Sequence, residues 1–239
     1  MIRAEHPTRI KSGTGVAVDQ ELILTVFHLV GSNKTGEITA TEIRITQPHM
    51  PWKEWYALAK VAAVDPSLDL AVLKFERHRE LPSLSFGDPS RLRPGEVVYL
   101  IGHEFFPDGV GLIYPRDAEI VGDFPPESPF FGVTPPVIRG FSGGGVFNLQ
   151  NELVGIAIKD YILFDTIRDG GRTYKIVKQG TIVVKINWAI HLLKKAEQSG
   201  PRFCPQRGRA FPAVATGDFV LLNIVIPGWA QGAGTAIPA

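Results

Sequence analysis

Short apolar runs rich in Val and Ile, each cut off by Gly, Pro or Asp, recur along most of the chain, and that punctuation constrains the fold more than any other feature. In the N-terminal half they read "GVAV" (15–18), "LILTV" (22–26), "EIRIT" (42–46), "LAKVAAVD" (58–65) and "LAVLKFE" (70–76). A second set follows the turn-rich "GDPSRLRPGE" (87–96): "VVYLIG" (97–102), "AEIVG" (118–122), "GGVFN" (144–148), "LVGIAIKDYIL" (153–163) and "TIVVKI" (181–186). Runs this short predict antiparallel strands, and two successive clusters joined by a loop predict a pair of small barrels. One helix is expected, at "NWAIHLLKKAEQ" (187–198), closing the second barrel. Asn187 is its N-cap candidate, Trp188, Ala189, Leu192, Leu193 and Ala196 share a face, and Gly200 and Pro201 stop it. A short echo ties the halves together. "GTGVAVDQELIL" (13–24) and "GGGVFNLQNELVGI" (143–156) both run Gly-x-Gly-Val and then Glu-Leu into β sequence, as equivalent hairpins of duplicated barrels would.

Composition removes several classes of function. With 239 residues, 44% of them hydrophobic, the chain can bury the core of one large all-β domain or two small units. Lys and Arg number 25 against 24 Asp and Glu, so no basic surplus drives binding to nucleic acid or to an anionic membrane. Cys204 is the only cysteine, which rules out an intrachain disulfide, and its Pro-rich basic setting, "PRFCPQRGR", reads as a solvated tail rather than a nucleophile. The N-terminal "MIRAEHPTRIKSGTG" lacks the apolar core and cleavage site of a secretory signal, which favours a cytoplasmic over an exported location. The apolar run Phe219–Ile226 falls far short of the roughly 20 residues that span a bilayer, so a late strand or tail is expected there and no membrane span. No HExxH, CxxC, Walker or GxGxxG pattern occurs, so neither metal nor cofactor is expected. His191, beside the helix's apolar stripe, is read as a surface residue.

Three segments carry chemistry. "ELILTVFHLV" (21–30) sets a titratable imidazole, His28, at the end of a run that would otherwise bury itself. "IRGFSGGGVFN" (138–148) places Ser142 among Gly140, Gly143, Gly144 and Gly145, on backbone too permissive to be explained by packing. Acyl transfer needs a base for the serine proton and about two aligned donors for the oxyanion, which the backbone N–H groups of Gly140 and Ser142 can supply. "VDPSLDLAVLKFE" (64–76) sets Asp69 at the start of an apolar strand, where an acid must be hydrogen-bonded or paired. An acid that accepts from an imidazole N–H fixes its tautomer, and Asp65 competes with Asp69 for that part.

In the order His28, Asp69, Ser142 these segments resemble the trypsin-like serine proteases of the chymotrypsin fold, and among them the bacterial HtrA (Deg) type. The resemblance rests on "GTGVAV…LILTVFHLV", "VDPSLDLAVLKF", "LPSLSFGDPSRLRPGEVVYLIG" and "GFSGGGVFNLQNELVGI", and covers about residues 12–198. It implies an all-β fold of two six-stranded antiparallel barrels with a C-terminal helix. The protease domain would be 1–198, its first barrel about 12–86 and its second about 95–198, followed by an extension of unknown role at 199–239 that is too short for the PDZ domain the HtrA type usually carries. The implied activity is a serine endopeptidase acting on unfolded or flexible polypeptide, with His28, Asp69 and Ser142 as triad, an oxyanion hole from Gly140 and Ser142, and no cofactor. Phe141 departs from the pattern, since the family usually has Asn or Asp before the serine, and Gly145 replaces a familiar Pro. Activation through a salt bridge from a new N-terminus to that acid is therefore not available. Phe141 also leaves room for a second reading, a catalytically silent module that binds peptides.

By the same resemblance the specificity pocket comes from "TPPVI" (134–138) and "GIAIKD" (155–160). Pro136 and Val137 would stand at its base and Ala157 and Ile158 along its wall, so a small or medium aliphatic side chain is expected before the scissile bond. A strand slipped by one residue would instead turn Lys159 or Asp160 inward.

Overall fold

The computed structural model describes residues 2–6, 9–45, 57–75, 84–105, 111–121, 124–169, 172–198 and 221–224. Its first half forms strands β1 (Ile2–His6), β2 (Arg9–Ala17), β3 (Leu22–Val26), β4 (Gly31–Ser32), β5 (Glu37–Ile38), β6 (Glu42–Ile45), β7 (Ala57–Asp65) and β8 (Leu70–Phe75), with one helical turn, α1 (Phe27–Val30). The second half forms β9 (Val97–Phe105), β10 (Gly111–Val121), β11 (Phe130–Thr134), β12 (Gly145–Phe147), β13 (Leu153–Asp169) and β14 (Arg172–Lys185), then helix α2 (Ile186–Gln198) and strand β15 (Leu221–Ile224).

Two antiparallel barrels result. The first runs β1-β6-β7-β8-β3-β2 and is closed by pairing of β1 with β2. The second closes in the order β10-β11-β14-β13-β12-β9. Strand β1 lies upstream of the first run read as β sequence. Its Ile2 and Ala4 alternate into the core, but a five-residue strand carrying Arg3, Glu5 and His6 has too few apolar positions to signal itself.

The echo between the halves is structural. Hairpin β2–β3 is turned by Asp19, whose Oδ1 accepts from the N–H groups of Glu21 (2.7 Å) and Leu22 (2.6 Å). Hairpin β12–β13 is turned by Asn148, whose Oδ1 accepts from Gln150 (3.0 Å) and Glu152 (2.9 Å). Each is a short polar side chain bonding to backbone a few residues on, which mimics and stabilises a tight turn. Between the barrels Asp88 caps the short 3-10 turn Pro89–Arg91, and hydrogen bonds from the side chain and backbone of Ser90 hold its carboxyl below the ordinary range.

Helix α2 starts one residue before the expected span and, contrary to expectation, does not close the second barrel, which is closed by its own six strands. Its buried face of Ile186, Ala189, Leu192, Leu193 and Ala196 shares a core with first-barrel residues, and the helix lies against β7 and β8 as well as β13 and β14. Trp188, expected on that face, is instead 42% exposed. The stripe through 186, 189, 193 and 196 follows the i, i+3, i+7 rule, and position 188 falls outside it. His191 is exposed, as read. Cys204 lies outside the described residues, and of the late apolar run four residues form β15, which pairs with β2 at Gly13–Val16.

Candidate active site

His28 is displayed by a turn that buries everything around it. Strand β3 is buried throughout, and in α1 Phe27, Leu29 and Val30 are buried while the His28 side chain keeps 35% exposure. Three apolar anchors in a four-residue turn leave one direction for the fourth side chain. The Lys11 ammonium of β2 binds the carbonyl oxygens of His28 and, at 2.8 Å, Gly31, satisfying acceptors that so short a helix leaves open.

The competition between the two aspartates is resolved by backbone conformation. Asp65 Oδ1 accepts from Ser67 N (3.0 Å), Ser67 Oγ (2.6 Å) and Leu68 N (3.1 Å), so its carboxylate is spent on building the turn. Asp69 leaves that turn with φ at 56°, a left-handed conformation that Asp tolerates better than most residues. Its carbonyl accepts from Phe27 N at 2.9 Å, its Oδ1 from His28 N at 2.7 Å, and its Oδ2 meets His28 Nδ1 at 2.7 Å. An ionised carboxylate only accepts, so Nδ1 is the donor of this bond, and in the neutral ring Nε2 then holds the lone pair. The side chain is 13% exposed, and in such a setting a charge-assisted bond fixes the ring firmly.

Ser142 sits on a loop whose peptides are held one by one. Phe141 N–H donates to Ile138 O at 3.2 Å, and Gly140 has φ at +99°, the combination of a type II turn with Gly at its third position. Phe141 O accepts from Gly144 N at 2.7 Å, and Ser142 O accepts from Thr14 N at 2.8 Å. Gly143 N–H donates to Ala157 O at 2.8 Å. Among the described residues the N–H groups of Gly140 and Ser142 have no acceptor, and these are the two donors read from the sequence as the oxyanion pair. The Phe141 side chain is fully buried in the second core, packed over Gly102. Burial of a Phe stabilises by about 1.5–3 kcal/mol, so apolar packing anchors this loop where an acid would otherwise be expected.

The serine loop and the histidine turn meet at Gly13. A methyl group there would lie 2.5 Å from Leu29 Cδ1 and 2.8 Å from Ser142 O, so only glycine lets the two elements close on β2. Of the specificity residues, Ala157 and Ile158 are 0% and 3% exposed, Val137 packs against the second core, and Pro136 O accepts from Arg116 Nη1 at 3.3 Å. Ala157 and Ile158 are buried on opposite sides of β13, Ala157 in the second core and Ile158 in the core shared with the first barrel, and a bulge between Ala157 and Lys159 is followed by the exposed Lys159 and Asp160. Sequence reasoning passed over Thr14 and Lys11. The signal for Thr14 was a hydroxyl between two glycines in "GTGV", immediately before a buried strand segment.

Two antiparallel barrels with an aspartate-bound histidine on the first and a glycine-flanked serine on the second define the two-barrel class of the chymotrypsin fold. Residues 13–156 match the model of the trypsin-like peptidase domain, and the chain belongs to that family. It is 34% identical over 162 residues to a probable periplasmic serine endoprotease DegP-like of Brucella suis biovar 1, across 64% of this chain and 28% of that protein. It is 25% identical over 235 residues to serine protease HTRA1A of Danio rerio, across 92% of this chain and 47% of the other. The chain thus spans less than half the length of these curated relatives. In fold it is similar to the HtrA-type protease AlgW solved with a tripeptide (TM-score 0.58, 18% identity, 81% of this chain and 57% of that one). A protease from M. tuberculosis in its active form is equally similar (TM-score 0.58, 20% identity, 82% and 78%).

Proposed function

We propose that this chain is a serine endopeptidase that cleaves unfolded or flexible polypeptides through an acyl-enzyme. The observation that carries the reading is the two-point grip of the Asp69 carboxylate on His28, ring and backbone together, which leaves Nε2 as a base. Ser142 Oγ attacks the carbonyl carbon and its proton passes to His28 Nε2. The oxyanion takes the N–H groups of Gly140 and Ser142. As the C–N bond breaks, the leaving amine takes the proton from Nε2. Water then repeats the sequence on the ester, returning Ser142 and releasing the new carboxylate. The tripeptide held by AlgW supports a polypeptide as the substrate class. A tagged fluorophosphonate separates this reading from the silent module, because only an activated serine displaces fluoride. Labelling mapped to Ser142 is expected, and an unlabelled, folded chain would favour the module.

The preference before the cut is read as aliphatic. Apolar surface contributes about 25 cal/mol per Å² buried, and Pro136, Val137, Ala157 and Ile158 offer no acid to pair with Lys or Arg. Mass-spectrometric mapping of cut sites in a denatured protein is expected to show Val, Ala or Leu before the scissile bond. Dominant Lys or Arg would overturn this pocket assignment.

A further inference from the structure

Thr14, on β2 of the first barrel, is fully buried and makes contacts that reach beyond its own sheet. Its N–H donates to Ser142 O at 2.8 Å, and its hydroxyl donates to Gly140 O at 2.7 Å while accepting from His103 N at 2.9 Å. Its carbonyl accepts from Thr25 Oγ1 at 2.7 Å. The first two bonds bracket the oxyanion pair. Gly140 O belongs to the peptide just after the Gly140 N–H, and Ser142 O to the peptide just after the Ser142 N–H. Peptide 140–141 is thereby held at both ends, its oxygen by Thr14 Oγ1 and its N–H by Ile138 O. If the Gly140 carbonyl is released, this peptide keeps only the bond from Phe141 N–H to Ile138 O, and the type II turn that aims the Gly140 N–H loses one of its two restraints.

We infer that Thr14 is the positioning residue of the oxyanion loop, acting from the first barrel on donors in the second. The task of holding this loop falls to a hydroxyl from β2 and to the buried Phe141 ring, with no ion pair required. The hydroxyl suits the work because it donates and accepts at once, linking Gly140 O to the β9 backbone at His103. Valine has the same shape and neither capacity.

The inference rests on the endopeptidase reading, and the test keeps the two apart. Turnover of a fluorogenic peptide bearing an aliphatic residue before the cut is measured for the full chain and for Ser142→Ala, Thr14→Val, Thr14→Ser and Thr14→Cys. Thr14→Val is expected to lower kcat by about 10²-fold, the scale of a lost oxyanion donor, with KM changed less than threefold. Thr14→Ser should restore kcat to within about threefold of the parent. If the valine variant does not fold, Thr14→Cys carries the test, with a weak thiol donor costing about tenfold in kcat. A valine or cysteine variant with the parent's kcat, a serine variant as impaired as the valine, or a loss confined to KM would each overturn the role of the hydroxyl. Parent turnover that survives Ser142→Ala would overturn the endopeptidase reading itself, and the inference with it.

Discussion

Asp69→Asn is expected to lower kcat by about 10⁴ while leaving the folded state intact, on the scale known for the same exchange in such triads. The separation of the two effects follows from the backbone. Asparagine is among the few residues that accept a φ of 56° at little cost, so the turn from Pro66 to Asp69 survives and Asp69 O can still receive Phe27 N–H. The amide oxygen can also still accept from His28 N. What changes is the atom facing Nδ1. An NH₂ group there donates, so Nδ1 must present its lone pair, the proton moves to Nε2, and the base is lost to the serine. The measurement is steady-state kinetics on a fluorogenic peptide beside thermal unfolding of the same preparation. An unchanged rate would remove Asp69 from the site, and a collapsed Tm would mean that its carboxylate serves the fold instead.

Ser142→Ala is expected to abolish turnover of casein, by roughly 10³-fold or more, without loss of folded structure. The loop's restraints run through backbone atoms of residues 140–144 and through the Phe141 ring, and none uses the serine hydroxyl. Removing it therefore deletes the nucleophile and little else. Turnover within tenfold of the parent would reject Ser142.

The architecture was readable because strand punctuation is local: a Gly, Pro or Asp ends a run wherever the run ends up. The two equivalent hairpins were legible in the echoed sequence, although Asn148, placed at the end of a β run, proves to be the turn former. The His28 position announced itself by contradiction, a titratable ring inside an apolar run. The residues by themselves left Asp65 competing with Asp69, both aspartates near a proline in one turn, and the assignment to Asp69 rested on the resemblance. What separates them is which one takes the left-handed conformation, a property of the closed structure. Thr14 was marked only by its place between two glycines, and its role was unreadable for a deeper reason. Its partners are Thr25, His103, Gly140 and Ser142, far apart in sequence, and no spacing rule connects them. Trp188 shows the limit of periodicity, which marks the centre of a helix face better than its edge.

The placement of α2 and β15 has a consequence for the order in which the molecule is assembled. The six strands of the first barrel are encoded within residues 2–75, yet the helix that covers β7 and β8 begins at Ile186, and the strand that lines β2 at Gly13–Val16 begins at Leu221. On a ribosome the first barrel emerges first and is clothed last. Until then it shows an apolar flank and an unpaired strand edge, the surfaces on which nascent chains pair with one another. The edge left waiting is the Gly13–Val16 stretch of β2, which carries Thr14, so the support of the nucleophile loop is also the last part of the barrel to gain its neighbour.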